Sequence, residues 1–394
     1  MLEKLKQQPP DKILALMQTF KEDPRANKLD LGIGVYKNEN GKTPIIKAVK
    51  TAEKILWEQE TTKSYTKLAG DSDFNIAMKE LIFRDSVSEN IISSAHTPGG
   101  TGAIRQAFEL IRLASPNSRI WISNPTWPNH ISILKFLNIS YSEYVYFDEN
   151  TCELNFDRMI ESLESARPGD IVLLHGCCHN PTGANLNNDQ WKELQRFLLN
   201  NQLVPLIDLA YQGFGDGLEE DVYGVRLLAE KCKELILAAS CSKNFGIYRE
   251  RTGILFTISE NEKIKNISNN TLAFLNRQNF SFPPDHGGKL VSLILKDDEL
   301  KSSWAKELNE MRHNMLNIRT SLVIELRKLS QSNRFDFLDR HRGMFSRLGA
   351  TKDQVLDMRK KHAIYMVEDS RINIAGINKN SVSRLARAII DVGI

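Results

Sequence analysis

Three unbroken apolar runs at a near-constant interval constrain the fold of this chain most. Asp170-Ile-Val-Leu-Leu-His175, Leu203-Val-Pro-Leu-Ile-Asp208 and Leu235-Ile-Leu-Ala-Ala-Ser240 begin at positions 170, 203 and 235, intervals of 33 and 32 residues. Runs that are apolar at successive rather than alternate positions suit strands covered on both faces. An interval of this size holds a strand, a crossover helix and the next parallel strand. Arg119-Ile-Trp-Ile-Ser123 is a fourth run of the same kind. The intervening segments carry helical periodicity. Trp191, Leu194, Phe197 and Leu198 share one face of 189–200, with Asn187, Asn188 or Asp189 before it as a cap. Ala103, Ile104, Ala107, Phe108 and Ile111 mark a helix after Gly102, and residues about 300–330 and 351–361 read as two more. The expected fold is therefore α/β. The chain ends, residues 1–45 and 320–394, mix helices with short strands and are expected to form a smaller domain beside a large domain of residues 46–319.

Composition excludes more than it suggests. At 394 residues with 41% hydrophobic and 26% charged content, the chain can bury a large core. A net charge of +3 gives no basis for a nucleic-acid or anionic-membrane partner. No run of about eighteen apolar residues is present to span a bilayer. The opening Met-Leu-Glu-Lys-Leu-Lys-Gln-Gln-Pro-Pro lacks a signal-peptide core, so the expected location is cytoplasmic. Cys152, Cys177, Cys178, Cys232 and Cys241 are odd in number and are expected to be reduced, buried thiols.

The chemistry concentrates where the apolar runs end. In Ser240-Cys-Ser-Lys243-Asn-Phe-Gly246, a lysine stands among hydroxyls just after a buried strand, with Arg251 eight positions on (243 to 251). Lys243 there is placed to bond an aldehyde cofactor, with Ser240, Ser242 and Arg251 holding its phosphate, which points to pyridoxal phosphate. Pro98-Gly-Gly-Thr-Gly102 leads into a helix whose free N–H groups attract an anion. Asp208, ending its run, can keep a pyridine nitrogen protonated, and Tyr211 can bond the ring's phenolic oxygen. Asn180, in His175-Gly-Cys-Cys-His-Asn180-Pro-Thr-Gly183, can donate to the same oxygen. Two His flanking two Cys in that loop suggest a metal, but adjacent cysteines in an extended segment point to opposite faces, so no metal site is expected. Trp127, after the 119–123 run, can stack on a flat ring. Arg371 and Arg277 can each fork two hydrogen bonds onto a carboxylate, and two such forks suit a dicarboxylate.

From end to end the chain resembles the class I aminotransferases of the aspartate and aromatic amino acid group. The motifs that carry the likeness are Leu31-Gly-Ile-Gly-Val-Tyr-Lys37, Gly41-Lys-Thr-Pro44, Pro98-Gly-Gly-Thr-Gly102, Asn124-Pro-Thr-Trp-Pro-Asn-His130, the 175–183 loop, the 240–246 segment and Gly343-Met-Phe-Ser346. The resemblance implies the fold type I of pyridoxal phosphate enzymes, a mostly parallel seven-stranded sheet plus a smaller α/β domain. It implies Lys243 as the cofactor lysine, Asp208 at the ring nitrogen, Asn180 and Tyr211 at the phenolic oxygen and Trp127 on the ring. It implies Gly100, Thr101, Gly102, Ser240, Ser242 and Arg251 at the phosphate, with Tyr65 reaching across a homodimer. Arg371 would take the substrate α-carboxylate and the neighbouring subunit's Arg277 the side-chain carboxylate, with Gly34 and Phe345 lining the site and His130 and His175 below the ring. Arg347, where the family usually has an aromatic residue, is expected to place a bulky charge near the mouth of the site.

The expected activity is transfer of the amino group of L-aspartate to 2-oxoglutarate, giving oxaloacetate and L-glutamate. Gly34-Val-Tyr-Lys37 resembles the aspartate branch more than the aromatic one. An aromatic amino acid (tyrosine or phenylalanine) aminotransferase is the alternative, since one pocket can admit both substrate types. A lyase or decarboxylase fits a second carboxylate clamp less well. A non-catalytic binding protein on the same scaffold has no need of Lys243, Asp208, Arg251 and Arg371 together.

Overall fold

The computed structural model describes residues 1–8 and 11–394; Pro9 and Pro10, the end of the opening segment considered above, lie outside it. Its centre is a seven-stranded sheet. In chain order the strands are β1 (Ile92–Pro98), β2 (Ile120–Asn124), β3 (Tyr141–Val145), β4 (Ile171–His175), β5 (Val204–Leu209), β6 (Leu235–Ser240) and β7 (Thr252–Ile258). Across the sheet they lie β1-β7-β6-β5-β4-β2-β3. Only β7 runs antiparallel to its neighbours; the pairs β6-β5, β5-β4, β4-β2 and β2-β3 are parallel. The four apolar runs are β2, β4, β5 and β6, and every residue of β6 is buried.

Successive side chains on these strands feed two cores. Leu173, Leu206, Ile236 and Ala238 pack on one face with Ala103, Ala107 and Phe108 of helix α1 (Gly99–Ala114). Leu174, Ile207, Leu209, Leu237 and Ala239 pack on the other with Trp191, Leu194 and Leu198 of helix α2 (Asn188–Asn200). Among the proposed caps of α2 it is Asn187 that acts, accepting from the Asp189 and Gln190 N–H groups while Gln190 reaches back to it. The helix expected after Gly102 begins at Gly99, because that residue takes the left-handed φ of +71° and makes the turn itself.

The two chain ends meet. Leu29–Asp30 pairs with Ile364–Tyr365, and Phe345–Arg347 pairs antiparallel with Arg371–Asn373. Helix α3 (Asp298–Ser330) runs 33 residues without a break, and the helix Val382–Asp391 packs against it. We infer that residues 1–45 and 320–394 make the smaller domain, with the boundary at 320 falling inside α3, which serves both parts. All five cysteines are free and buried.

His96 of β1 is fully buried, its two ring nitrogens have no partner among the described residues, and its ring packs 4.4 Å from that of Phe74. Burial pushes its pKa down to about 4. The unfolded chain therefore binds a proton that the folded chain refuses between pH 6.5 and about 4, so stability falls as the pH drops through that window. Replacing His96 by Phe should remove about 2 kcal/mol of the wild-type stability loss between pH 7 and pH 5. Denaturant titrations of both proteins at the two pH values check this; equal losses would show that His96 is protonated without cost.

Candidate active site

The register of the parallel strands gathers the predicted residues at one level. His175 lies beside Asp208 across β4 and β5, and Asp208 beside Ala238 across β5 and β6. Ser240 pairs with Gly253, and Thr252 with Pro98, where β1 runs into α1. At these carboxyl ends, where parallel sheets bind ligands, lies a cavity of about 320 Å³. Its walls include Gly34, Gly100, Thr101, Trp127, His175, Asn180, Asp208, Tyr211, Ser240, Ser242, Lys243, Arg251, Phe345 and Arg371. Gly102 is absent from that wall: a Cβ there would meet Pro98 Cδ at 2.9 Å, so the residue packs back on β1 and offers only its place in the first turn of α1.

The cavity wall carries one carboxylate, Asp208, and three basic side chains, Lys243, Arg251 and Arg371. Lys243 is part-exposed towards the cavity, with Nζ 4.9 Å from the centroid of the Tyr211 ring. Burial pushes its ammonium pKa down to about 8; the Asp208 charge resists this and the Arg251 charge adds to it. Asp208 is buried, and burial alone would raise its carboxyl. The His130 Nε2–H donating to Oδ2 at 3.0 Å, with the nearby positive charges, outweighs burial and holds the group below the usual carboxylate range. His130 is steadied in turn: its Nδ1 lies 2.9 Å from Thr126 Oγ1, itself 3.2 Å from His175 Nε2. Burial, then the neighbouring His130, pushes His175 down to about 3, so that ring stays neutral. Burial raises the Tyr211 phenol above its ordinary value.

One corner is built for an anion. The N-terminus of α1 opens on it, and a Cβ at Gly99 would stand 2.5 Å from Arg251 Nη2, so only glycine lets that guanidinium lie against the helix start. Arg251 Nη1 donates to Tyr248 O at 3.1 Å and lies 3.4 Å from Ser242 Oγ, and the Ser242 N–H donates to Ser240 Oγ at 3.3 Å. A helix N-terminus, two hydroxyls and a planar cation converge there.

At the opposite side Arg371 is buried. Its Nη2 donates to Gly32 O at 2.9 Å and its Nη1 to Asn180 Oδ1 at 3.3 Å, while Nε has no partner among the described residues. The guanidinium carbon is 4.3 Å from the centroid of Phe345, whose Cζ would be 3.1 Å from a Cβ at Gly34. Arg347 corrects an expectation. It is the cross-strand neighbour of Arg371, yet its side chain does not line the cavity. It pairs with Glu149 at 2.5 Å and donates to Asp369 O at 2.8 Å, so its charge is neutralised away from the mouth.

A second correction concerns the cysteines. Cys178 has a left-handed φ of +50°, so the 177–178 pair is not extended. The two sulfurs and a carboxylate oxygen of Asp221 all lie within 4.8 Å of one another. Asp221 is occupied by the Gly213, Gly215 and Asp216 N–H groups, and both thiols are raised above their ordinary value, Cys177 by its contact with Cys178 and by burial, Cys178 by burial. The cluster thus has the form of packing around a tight turn.

Tyr65 and Arg277 stand outside this chain's cavity. Tyr65 is 85% exposed and stacks on Phe282 at 4.7 Å, and Arg277 Nη1 donates to Ser281 Oγ at 2.5 Å, so both sit on one surface patch. The sequence reading missed Ile13, Cys177, Ala210 and Tyr248, which complete the cavity wall. Tyr248, between Lys243 and Arg251 in the chain, was the findable one; its hydroxyl accepts from the Tyr36 N–H at 3.2 Å.

Residues 26–389 match the family model described as aminotransferase class I and II. The chain is 54% identical to the aromatic-amino-acid aminotransferase of Paracoccus denitrificans, over 100% of both chains. It is 40% identical to the aspartate aminotransferase of Escherichia coli, again over 100% of both. The aromatic-amino-acid aminotransferase of Burkholderia pseudomallei, solved covalently bound to pyridoxal phosphate, superposes with a TM-score of 0.96 at 36% identity, covering 100% of this chain and 99% of that one. With this fold and these relatives, the chain belongs to the class I and II aminotransferase family and is a pyridoxal-phosphate-dependent aminotransferase of fold type I.

Proposed function

We propose that this enzyme transfers the amino group of L-aspartate to 2-oxoglutarate and accepts aromatic amino acids in the same pocket, working as a cytoplasmic homodimer. The observation that carries the reading is a lysine amine, pushed down to about 8, sharing one cavity with a buried carboxylate and a buried arginine. The aspartate and aromatic names of the two curated relatives support the pairing of substrates.

The donor set suits pyridoxal phosphate part by part. Lys243 supplies the amine, Asp208 a carboxylate for the ring nitrogen, Asn180 and Tyr211 donors for the phenolic oxygen, and Trp127 a flat face. Gly100, Thr101, Ser240, Ser242 and Arg251, with Tyr65 from a second copy, would supply the phosphate contacts, and Gly102 would contribute only through its place in the first turn of α1. The Gly99 position that a Cβ would close against Arg251 supports this assignment, as does the orphaned Nε of Arg371.

When bound, the cofactor supplies an aldehyde that takes up the amino group and a ring that accepts electron density from the α-carbon. The chain does the rest. Arg371 binds the α-carboxylate, with Asn180 and Gly32 holding its guanidinium in place. Lys243 Nζ, once free, would take the proton from the substrate α-carbon and hold it for return to the opposite end of the Cα–N–C unit. A pKa near 8 leaves a useful share of the amine neutral for this. Asp208, kept ionised by His130, holds the proton on the ring nitrogen. Phe345 and Gly34 close the substrate side, and Arg277 of the partner subunit receives a second carboxylate. The two half-reactions share one site, so ping-pong kinetics follow.

Replacing Lys243 by Ala should abolish turnover and the visible absorbance change on adding aspartate. Normal cycling by that variant would reassign the base. Cofactor attachment to the apoenzyme needs the neutral amine, so its rate should rise with pH through about 8, not through the ordinary lysine value of 10.5. Stopped-flow absorbance between pH 6 and 10 reads this directly, and a midpoint near 10 would refute the depressed amine. Arg277→Ala should lower kcat/KM for aspartate by about a hundredfold, two charged hydrogen bonds being lost, and change phenylalanine far less. Steady-state kinetics with aspartate, glutamate, tyrosine and phenylalanine test this. Equal losses for both substrate types would break the dicarboxylate assignment.

A further inference from the structure

The mechanism leaves one buried cation unused. Arg319 of α3 is fully buried. Its four hydrogen bonds all go to neutral oxygens: Nη1 donates to Leu338 O at 3.0 Å and Ser346 Oγ at 2.7 Å, and Nη2 to Gly343 O at 2.9 Å and Phe345 O at 2.8 Å. Burial without a bonded carboxylate pulls its guanidinium down to about 9. A charge in such a place is costly, and an apolar side chain of similar volume would fill the space more cheaply. What the guanidinium adds is a rigid planar fork with several donors of set direction.

The segment it grips is the outer wall of the active site. Gly343 has a φ of +78° and passes so close to Cys178 that a Cβ would stand 2.4 Å from that residue's Cβ. Two residues on, Phe345 accepts from Arg319 through its carbonyl and lines the cavity with its ring. The ring is held between the Arg371 guanidinium at 4.3 Å and Gly34. Phe345 also pairs with Asn373 in the short sheet that carries Arg371. A shift of the Phe345 backbone would therefore move both the ring and the strand of the carboxylate-binding arginine.

The same helix grips the other side of the site. Trp304 Nε1 donates to Asn244 O at 2.8 Å, and its ring stacks on Phe245 at 4.5 Å, next to Lys243. Fifteen positions of α3 (304 to 319), about 22 Å of helix, thus separate the grip on the lysine segment from the grip on the Phe345 wall.

We propose that Arg319 is a positioning residue for transamination: it holds the Gly343–Phe345 backbone so that Phe345 stays against Arg371, and thereby sets how tightly the substrate α-carboxylate is bound. The inference rests on the reading in which Phe345 and Arg371 face the substrate.

The test uses the holoenzyme. Arg319→Lys keeps the charge and loses the fork; Arg319→Met keeps the volume and loses both. Both should raise KM for aspartate, about tenfold for Lys and more for Met, with kcat changed less than about threefold and the visible spectrum of bound cofactor unchanged. The lysine variant should recover part of the loss. Because Arg319 acts through Phe345, a Phe345→Leu, Arg319→Lys double variant should lose little beyond Phe345→Leu alone. An unchanged KM in cofactor-loaded Arg319→Lys, or losses that multiply in the double variant, would overturn the proposal. If the Arg319 variants do not fold, Ser346→Ala, which removes one acceptor of the four, should still raise KM about twofold, and an unchanged KM there refutes the role. A wild-type holoenzyme that turns over none of the amino acids would instead sink the transaminase reading, which sets the two failures apart.

Discussion

A carboxylate and an amine of opposite charge share one desolvated cavity, and the rest of the site answers to that arrangement. Taking either charge out of water is unfavourable, and each is tuned by what surrounds it. Asp208 receives a hydrogen bond from His130 and stays ionised in spite of its burial. Lys243 lacks compensation of that strength, and its proton is correspondingly loose. The result is a permanent anion facing a conditional base, the division of labour that proton transfer at an α-carbon needs. The relay from His130 through Thr126 to His175 keeps the rings around the carboxylate oriented without adding a second buried cation at His175.

That pair exists because of strand register. Four strand ends stop at one level, so residues 98, 175, 208 and 240 become neighbours although more than 140 positions separate the first from the last (98 to 240). The sheet supplies only one side of the cavity. Gly34, Phe345 and Arg371 come from the two chain ends, joined by short strands that pair across the whole length of the sequence. Helix α3 ties the two sides together, through Trp304 next to the lysine segment and Arg319 behind Phe345. An uninterrupted 33-residue helix is a stiff connection, and it makes the distance between the two halves of the site a property of backbone geometry.

Much of this was legible in the chain. Continuous apolar runs at regular intervals gave the parallel strands, and helical periodicity over 189–200 with cap candidates at 187–189 placed α2 to within a residue. Polar residues ending those runs lie together around the cavity, at the edge that parallel sheets present to ligands. Where reading failed, the cause was local geometry that pattern cannot reveal. The left-handed Cys178 turned two sulfurs to one side. Arg347 found Glu149, 198 positions away (149 to 347), and left the mouth of the site. Arg319 was not singled out in the sequence, since nothing in its neighbours showed that four backbone and hydroxyl oxygens from 338–346 would surround it.

The order of apolar and polar residues was enough to determine the fold class and the approximate place of several helices, and to single out candidate reactive groups, because periodicity and capping act over a few residues. Only the folded molecule decided which of those groups share a cavity, which carry a loosened proton and which arginines are neutralised elsewhere. Desolvation and ion pairing depend on atoms brought together from distant stretches, and their strength changes over a few ångströms that no local pattern encodes.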